Sequence, residues 1–321
     1  MADLTLEQQI MKKCELTPEQ IKERTETIIN AMASDKVPSK HPLLVVVGGQ
    51  SGAGKTALID YTTLMSSKRD FVVIDNDFFR GFHPMAREIK NQYPEYYTAA
   101  TDQLGLGITS DVISYFMENN YDVILHQTLK NNRIADDAMT KFKEAGYTVG
   151  VRAYAVPYLE SKMSQIERCM AQYDTMGFCR HVRKVDHDAA IKGLPETVEY
   201  IEQSGKYDFI EIFKRGEHIS SPVLVYSKFN PDNKQETLEA LENCENVSHE
   251  DNSFGFESAK DAVVQTRQSE AIICSKTLND RLEDVKANGG LEIPGMKEHI
   301  DELEQAHQVF LSQNNEDLTQ P

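Results

Sequence analysis

Apolar residues in the middle of the chain come in short blocks that alternate with longer amphipathic stretches. Blocks at 43–48 (LLVVVG), 71–75 (FVVID), 122–126 (DVILH), 148–156 (TVGVRAYAV), 208–213 (DFIEIF) and 222–226 (PVLVY) are rich in β-branched residues and read as strands. Between them, 55–67, 109–120, 133–145, 158–173 and 195–203 place apolar residues at helical spacing. This alternation predicts an α/β fold whose parallel sheet is covered by helices on both faces, with ligands at the carboxyl ends of the strands.

The flanks read differently. Residues 1–42 predict helices: Thr5-Leu6-Glu7-Gln8 and Thr17-Pro18-Glu19-Gln20 are capping boxes, the second with proline at the first helical position. Ile21, Ile28, Ile29 and Met32 then follow helical spacing. These helices read as packed on the core, or as a segment that docks a partner or covers the site in cis. Past residue 229, residues 230–250 carry a helical pattern (Leu238, Leu241, Val247), and a polar stretch separates them from a helix over 258–287. Asn288-Gly289-Gly290 interrupts the chain. A last helix over about 294–312 carries Ile300, Leu303, Val309 and Phe310 as its apolar stripe. The expected organisation is an N-terminal helical extension (1–40), an α/β domain (41–229) and an acidic helical extension (230–321) that forms a small subdomain.

The first strand runs directly into Gly49-Gln50-Ser51-Gly52-Ala53-Gly54-Lys55-Thr56, a complete G-x-x-x-x-G-K-[ST] phosphate-binding loop. Glycines let the backbone turn so that its N–H groups converge on a phosphate, and the helix that follows aims its positive end at the same anion. Lys55 is expected to reach the β- and γ-phosphates, and the Thr56 hydroxyl to bind Mg²⁺. The fold class narrows to a P-loop NTPase-type sheet that binds ATP or GTP.

The formal net charge is −17, and 20 acidic against 7 basic residues fall in 230–321, so the acidity belongs to the tail. The lack of a basic face argues against nucleic-acid binding. No apolar run approaches the ~20 residues that span a bilayer, and the first ten residues hold no apolar block, so a cytoplasmic protein without membrane contact is expected. The five cysteines include no C-x-x-C pair, which favours reduced thiols over a disulfide framework. His126, His181 and His187 match no common zinc spacing, so no metal cluster is assigned to them.

A second cluster, Ile74-Asp75-Asn76-Asp77-Phe78-Phe79-Arg80-Gly81-Phe82-His83-Pro84, follows the second strand. In this fold that strand end faces the phosphate loop, where a carboxylate can take a proton from an attacking hydroxyl or hold a water on Mg²⁺. Loop and cluster together resemble the zeta-toxin family of small-molecule kinases. The family's I-D-x-D-x-F-[RK]-x-x-H-P segment is filled by Ile74, Asp75, Asp77, Phe79, Arg80, His83 and Pro84. AVPYLESKMSQIERC at 155–169 is similar to its A-V-P…I-E-R-Y segment, and 193–215 to a later motif ending Y-x-R. The resemblance covers roughly 40–228.

The resemblance implies an ATP- and Mg²⁺-dependent kinase with Asp77 as catalytic base and Lys55 and Thr56 in the phosphate loop. It implies two lid arginines, Arg168 and Arg180, with Arg183 competing for the second place. It implies an acceptor that is a nucleotide sugar of the UDP-N-acetylglucosamine kind or another nucleotide metabolite, toxicity to the target cell, and an antitoxin as protein partner. Arg80, His83, His126 and Thr128 are the candidate acceptor-binding residues; a structural hydrogen-bonding role before Pro84 is the alternative for His83. Two positions depart from the family. Its strand end I-E-G-T reads Leu125-His126-Gln127-Thr128, and a substrate-facing glutamate sixteen residues before that acid is replaced by Ser110. Imidazole is a poor Mg²⁺ partner. Three readings stay open: a different acceptor, the family's UDP-sugars in a rearranged pocket, or a weakened nucleotide-binding regulator.

Overall fold

The computed structural model describes residues 4–66, 69–179, 181–217, 221–241 and 251–314. Its elements run α1 (Leu6–Cys14), α2 (Pro18–Ala33), β1 (Leu43–Gly48), α3 (Lys55–Met65), β2 (Val72–Ile74), α4 (Asn76–Arg80), α5 (Ala86–Gln92), α6 (Tyr97–Ala100), α7 (Asp102–Gly105), α8 (Thr109–Glu118), β3 (Val123–Gln127) and α9 (Asn132–Glu144). They continue with β4 (Thr148–Tyr154), α10 (Tyr158–Met176), α11 (Lys184–Ser204), β5 (Phe209–Arg215), β6 (Pro222–Phe229), α12 (Lys234–Leu241), α13 (Ala259–Ala287) and α14 (Met296–Gln313).

The sheet has six strands in the order β2-β3-β1-β4-β5-β6. Every neighbouring pair is parallel except β5 and β6, which are antiparallel. Side-chain alternation splits β1 between two cores: Leu44 and Val46 face one side, Leu43, Val45 and Val47 the other. The first face is covered by residues of α2, α8, α9, α11 and the start of α13, and the second by α3 and α12. β1 is buried at all six positions, as a central parallel strand requires. The parallel α/β sheet with helices on both faces is thus the observed architecture.

Both N-terminal capping boxes form, with Thr5 accepting from Gln8 N and Thr17 from Gln20 N. The helices they start are packed on the core. Ile28 lies in the main cluster, while Ile10 and Cys14 pack with Ile89 and Ala100.

Two elements differ from the sequence reading. The helix expected over 195–203 starts at Lys184 and runs straight through Pro195. Proline stopped the sequence pattern because it removes the bond to the carbonyl four residues back; here the carbonyl it frees, that of Ile191, accepts from Arg267 Nη1 at 2.7 Å. The C-terminal helices, moreover, pack on the α/β domain. Ala259, Ala262 and Val263 join the sheet's main core, and Cys274, Leu278, Leu282 and Val285 pack with α10 residues Leu159, Met163 and Ile166. Of the pattern expected over 230–250, α12 forms, and Val247 lies outside the described residues.

Candidate active site

β1 ends at Gly48 and delivers the chain into the loop 49–54. Gly49, Gly52 and Gly54 take φ of 154°, 80° and 95°, the last two in the left-handed region that glycine enters without strain. At Gly52 a second reason applies: an added Cβ would stand 2.0 Å from the Ser161 carbonyl oxygen of α10. The loop therefore lies directly against that helix. α10 also supplies Gln165, whose Nε2 donates to Ser51 O at 2.8 Å, and Arg168, whose Nη2 donates to Ser51 Oγ at 3.3 Å. Inside the loop, Ala53 N donates to Gln50 O at 3.1 Å and Lys55 Nζ to the same oxygen at 3.2 Å. Thr56 is exposed in the first turn of α3.

β2 and β3 bring the second cluster to the same end of the sheet, because β3 lies between β2 and β1. Asp75 caps α4 by accepting from Asp77 N at 2.9 Å, and its other oxygen stands 2.9 Å from His126 Nδ1. Burial pushes the Asp75 carboxyl up, but His126, Asp77 N and the Lys55 charge outweigh it and hold it below its ordinary value. The Asp77 side chain is 57% exposed, with Oδ1 accepting from Arg80 Nε at 3.2 Å. The charges are coupled across the gap between loop and cluster. Burial lowers the Lys55 ammonium to about 8, Arg168 adds to that effect, and Asp75 and Asp77 oppose it.

Residues 29–221 match the family model described as zeta toxin. The chain belongs to the zeta-toxin family. It is 25% identical over 202 residues to toxin zeta of Streptococcus agalactiae, which spans 63% of this chain and 70% of that relative. It is 24% identical over 188 residues to toxin PezT of Streptococcus pneumoniae, spanning 58% of this chain and 74% of the relative. A solved structure from the PezAT chromosomal toxin-antitoxin system of Streptococcus pneumoniae superposes with a TM-score of 0.62 at 21% identity. It covers 84% of this chain and 99% of that one, a likeness of fold.

Among the expected site residues of this zeta-toxin family chain, the structure gathers Gly49 to Thr56, Asp75, Asp77, His126 and Arg168 at one end of the sheet. Thr128 follows β3 there, half-buried. Arg180 lies outside the described residues, and Arg183 forms an ion pair with Asp186 at 2.7 Å on an exposed surface. Two of the expected acceptor-binding residues bond structural partners. His83 is buried, its Nε2 bonded to Cys14 O at 3.0 Å and its Nδ1 accepting from Met85 N at 3.1 Å, so it ties the loop before α5 to α1. Arg80 is buried and spends its fork on Asp77, Asp102 and the Thr98 carbonyl. Ser110 is exposed on α8; its neighbour Thr109 holds Asn76 of the second cluster at 3.0 Å.

The expectation of reduced thiols is corrected as well. Cys169 and Cys179 are joined as a disulfide with Cα atoms 5.0 Å apart. Gly177 caps α10 in the left-handed conformation and turns the chain back, which brings together cysteines ten residues apart. His181 lies beside them, and the three donor groups fall within 4.8 Å of one another. With the sulfurs bonded to each other, the imidazole is the sole unmodified donor of that group.

Sequence reasoning missed the residues that brace the loop from behind. Arg215, at the end of β5, donates to the Ala53 carbonyl at 3.1 Å and to that of Gly52, and pairs with Glu160 at 2.5 Å. It closes the 193–215 motif, which was the available signal. Arg281 of α13 pairs with Glu160 and Glu167 of α10 at 2.7 and 2.9 Å. No helix among the described residues is long and apolar enough to cross a membrane.

Proposed function

We propose that this chain is an ATP-dependent small-molecule kinase that transfers the γ-phosphoryl group to a hydroxyl of a nucleotide sugar or related nucleotide metabolite. One observation carries the reading: Lys55 and Arg168 bond phosphate-loop residues Gln50 and Ser51, and Asp75 and Asp77 stand at the same end of the sheet, so both signs of charge lie where phosphoryl transfer needs them. Loop N–H groups and Lys55 hold the β- and γ-phosphates. Arg168, anchored at the loop rim on Ser51, balances charge on the transferred oxygens, joined in this reading by Arg180. Asp77 takes the proton of the acceptor hydroxyl as its oxygen bonds the γ-phosphorus. The bond from that phosphorus to the β,γ-bridging oxygen breaks, and ADP carries the electron pair away.

Mg²⁺ fits the oxygen donors present: the exposed Thr56 hydroxyl would hold it, with a carboxylate of the second cluster holding one of its waters. Bound there, it supplies neutralisation of the β- and γ-oxygens. The His126–Asp75 pair bears on the acceptor. It replaces an acid of the family with an imidazole held by Asp75 at 2.9 Å, a hydrogen-bonding ring that suits a sugar hydroxyl better than a Mg²⁺ ion, which prefers oxygen ligands. An antitoxin partner, toxicity to the target cell and a cytoplasmic site of action belong to the same reading, as does the division into 1–40, 41–229 and 230–321.

The test is mass spectrometry of the full chain with ATP, Mg²⁺ and a panel of UDP-N-acetylglucosamine, other nucleotide sugars, NAD and nucleosides. Gain of one phosphate on a nucleotide sugar supports the reading. Phosphate gain on NAD or a nucleoside instead moves the acceptor. ATP binding with no labelled acceptor overturns the kinase reading and leaves a nucleotide-binding regulator.

A further inference from the structure

α13 carries two inward-facing arginines whose surroundings differ. Arg281 has two carboxylates, Glu160 and Glu167, which outweigh its burial and hold its guanidinium above the ordinary value. Arg267, four turns earlier, has no carboxylate at ion-pair distance among the described residues, and burial lowers it to about 10. It stays charged at neutral pH. Its Nε is shielded from solvent and bonds nothing among the described residues. The residue as a whole is half-buried, and a partly shielded cation without a counter-charge is costly.

The two hydrogen bonds that Arg267 makes show where its charge is directed. Nη1 donates to the Ile191 carbonyl that Pro195 leaves without a helical partner. Nη2 donates to Gln50 Oε1 at 2.9 Å, and the fully buried Gln50 passes the contact on, its Nε2 donating to Val156 O at 2.6 Å. The amide orientation is forced: arginine can only donate and a carbonyl can only accept. Gln50 is thus fixed from both sides, and its own carbonyl receives Ala53 N and Lys55 Nζ. Arg267 stands one side chain behind the phosphate loop and outside the family-matched residues 29–221.

We propose that Arg267 is a positioning residue of the nucleotide site: through Gln50 it sets the shape of the phosphate loop, and its unneutralised charge finds its counter-ion in the phosphates of bound nucleotide. α13 is then part of the ATP site. In a partly shielded setting a charge acts over several ångströms with less loss than in water. The inference rests on the reading of the loop as a nucleotide site and adds a residue that the family match does not reach.

The test compares Arg267→Gln, which keeps polarity and removes charge, with Arg267→Lys, which keeps charge and loses the fork. Val285→Ala is the control: it loosens the far end of α13, where Val285 packs in the α10–α13–α14 cluster. ADP and ATP binding to the full chain are measured by calorimetry without acceptor, and KM for ATP and kcat with the acceptor found above. Arg267→Gln is expected to weaken nucleotide binding about tenfold or more and to raise KM for ATP in proportion while kcat changes less. Arg267→Lys is expected to stay within about threefold of the parent. Val285→Ala is expected to lose stability with nucleotide affinity unchanged. If Arg267→Gln matches Val285→Ala, less stable but with parental affinity, the inference is overturned while the kinase reading stands. Equal losses in Gln and Lys variants overturn the role of charge. A parent chain that binds no nucleotide overturns both.

Discussion

Replacing Gly52 by alanine tests the contact between phosphate loop and α10 directly. The new methyl carbon would sit 2.0 Å from Ser161 O, 3.0 Å from Ser161 C and 3.1 Å from Gln165 Cγ, at φ +80°. Ser161 is fully buried and its carbonyl is helix backbone, so the loop must move by well over an ångström. The left-handed backbone adds about 1–2 kcal/mol, and overpacking about 1–3 kcal/mol. We expect about 2–5 kcal/mol of lost stability in urea denaturation. Loop displacement also breaks the contacts of Arg168 and Gln165 with Ser51 and those of Arg215 with Gly52 and Ala53. ATP affinity should therefore fall at least about tenfold. Gly146→Ala provides the reference: its φ is +85°, but nothing lies within 4 Å of an added Cβ. That variant should show only the backbone cost of about 1–2 kcal/mol and parental ATP affinity. If Gly52→Ala and Gly146→Ala behave alike in both assays, the loop does not rest on α10 as described.

Asp77→Asn keeps the oxygen that meets Arg80 and removes the base, so kcat should drop by about 10²–10⁴ while ATP affinity and melting temperature stay near parental values; mass-spectrometric turnover and calorimetry read the two separately. The Lys55 ammonium, lowered to about 8 in the free site, is favoured by bound phosphate, so ATP binding should be full below that pH and weaken as pH rises through it. The slope should reach up to about tenfold per pH unit and vanish in Lys55→Met, with a flat parental profile counting against the placement of Lys55. Glu211→Gln should cost about 3–5 kcal/mol in urea denaturation, because Arg152 Nε, buried on β4, donates to Glu211 Oε2 at 2.7 Å and would be left without its charge partner.

The sequence made local features legible and long-range ones opaque. β1, its loop and the start of α3 are specified by neighbouring residues, and the structure places them at Leu43–Gly48 and Lys55 as expected. The capping boxes at Thr5 and Thr17 were readable because each closes within four residues. Asp75 and Asp77 could be placed at the loop because a parallel sheet sends all its carboxyl strand ends to one side. The start of α11 was not readable, since Pro195 is tolerated there only because a distant arginine takes the freed carbonyl. The disulfide was hidden by a spacing that matches no motif. His83 looked like a site residue because its motif was complete, yet what it does depends on α1, some seventy residues away. The bracing of the loop by Arg267 spans 217 residues, and no local pattern encodes it.

That span has a consequence during synthesis. Chains grow at about 5–20 residues per second, so the residue that clasps Gln50 is polymerised roughly 10–40 s after Gln50 itself. Until α13 clears the ribosome, the nascent phosphate loop can have Arg215 behind it but not the Arg267 contact that fixes Gln50, and its support is incomplete.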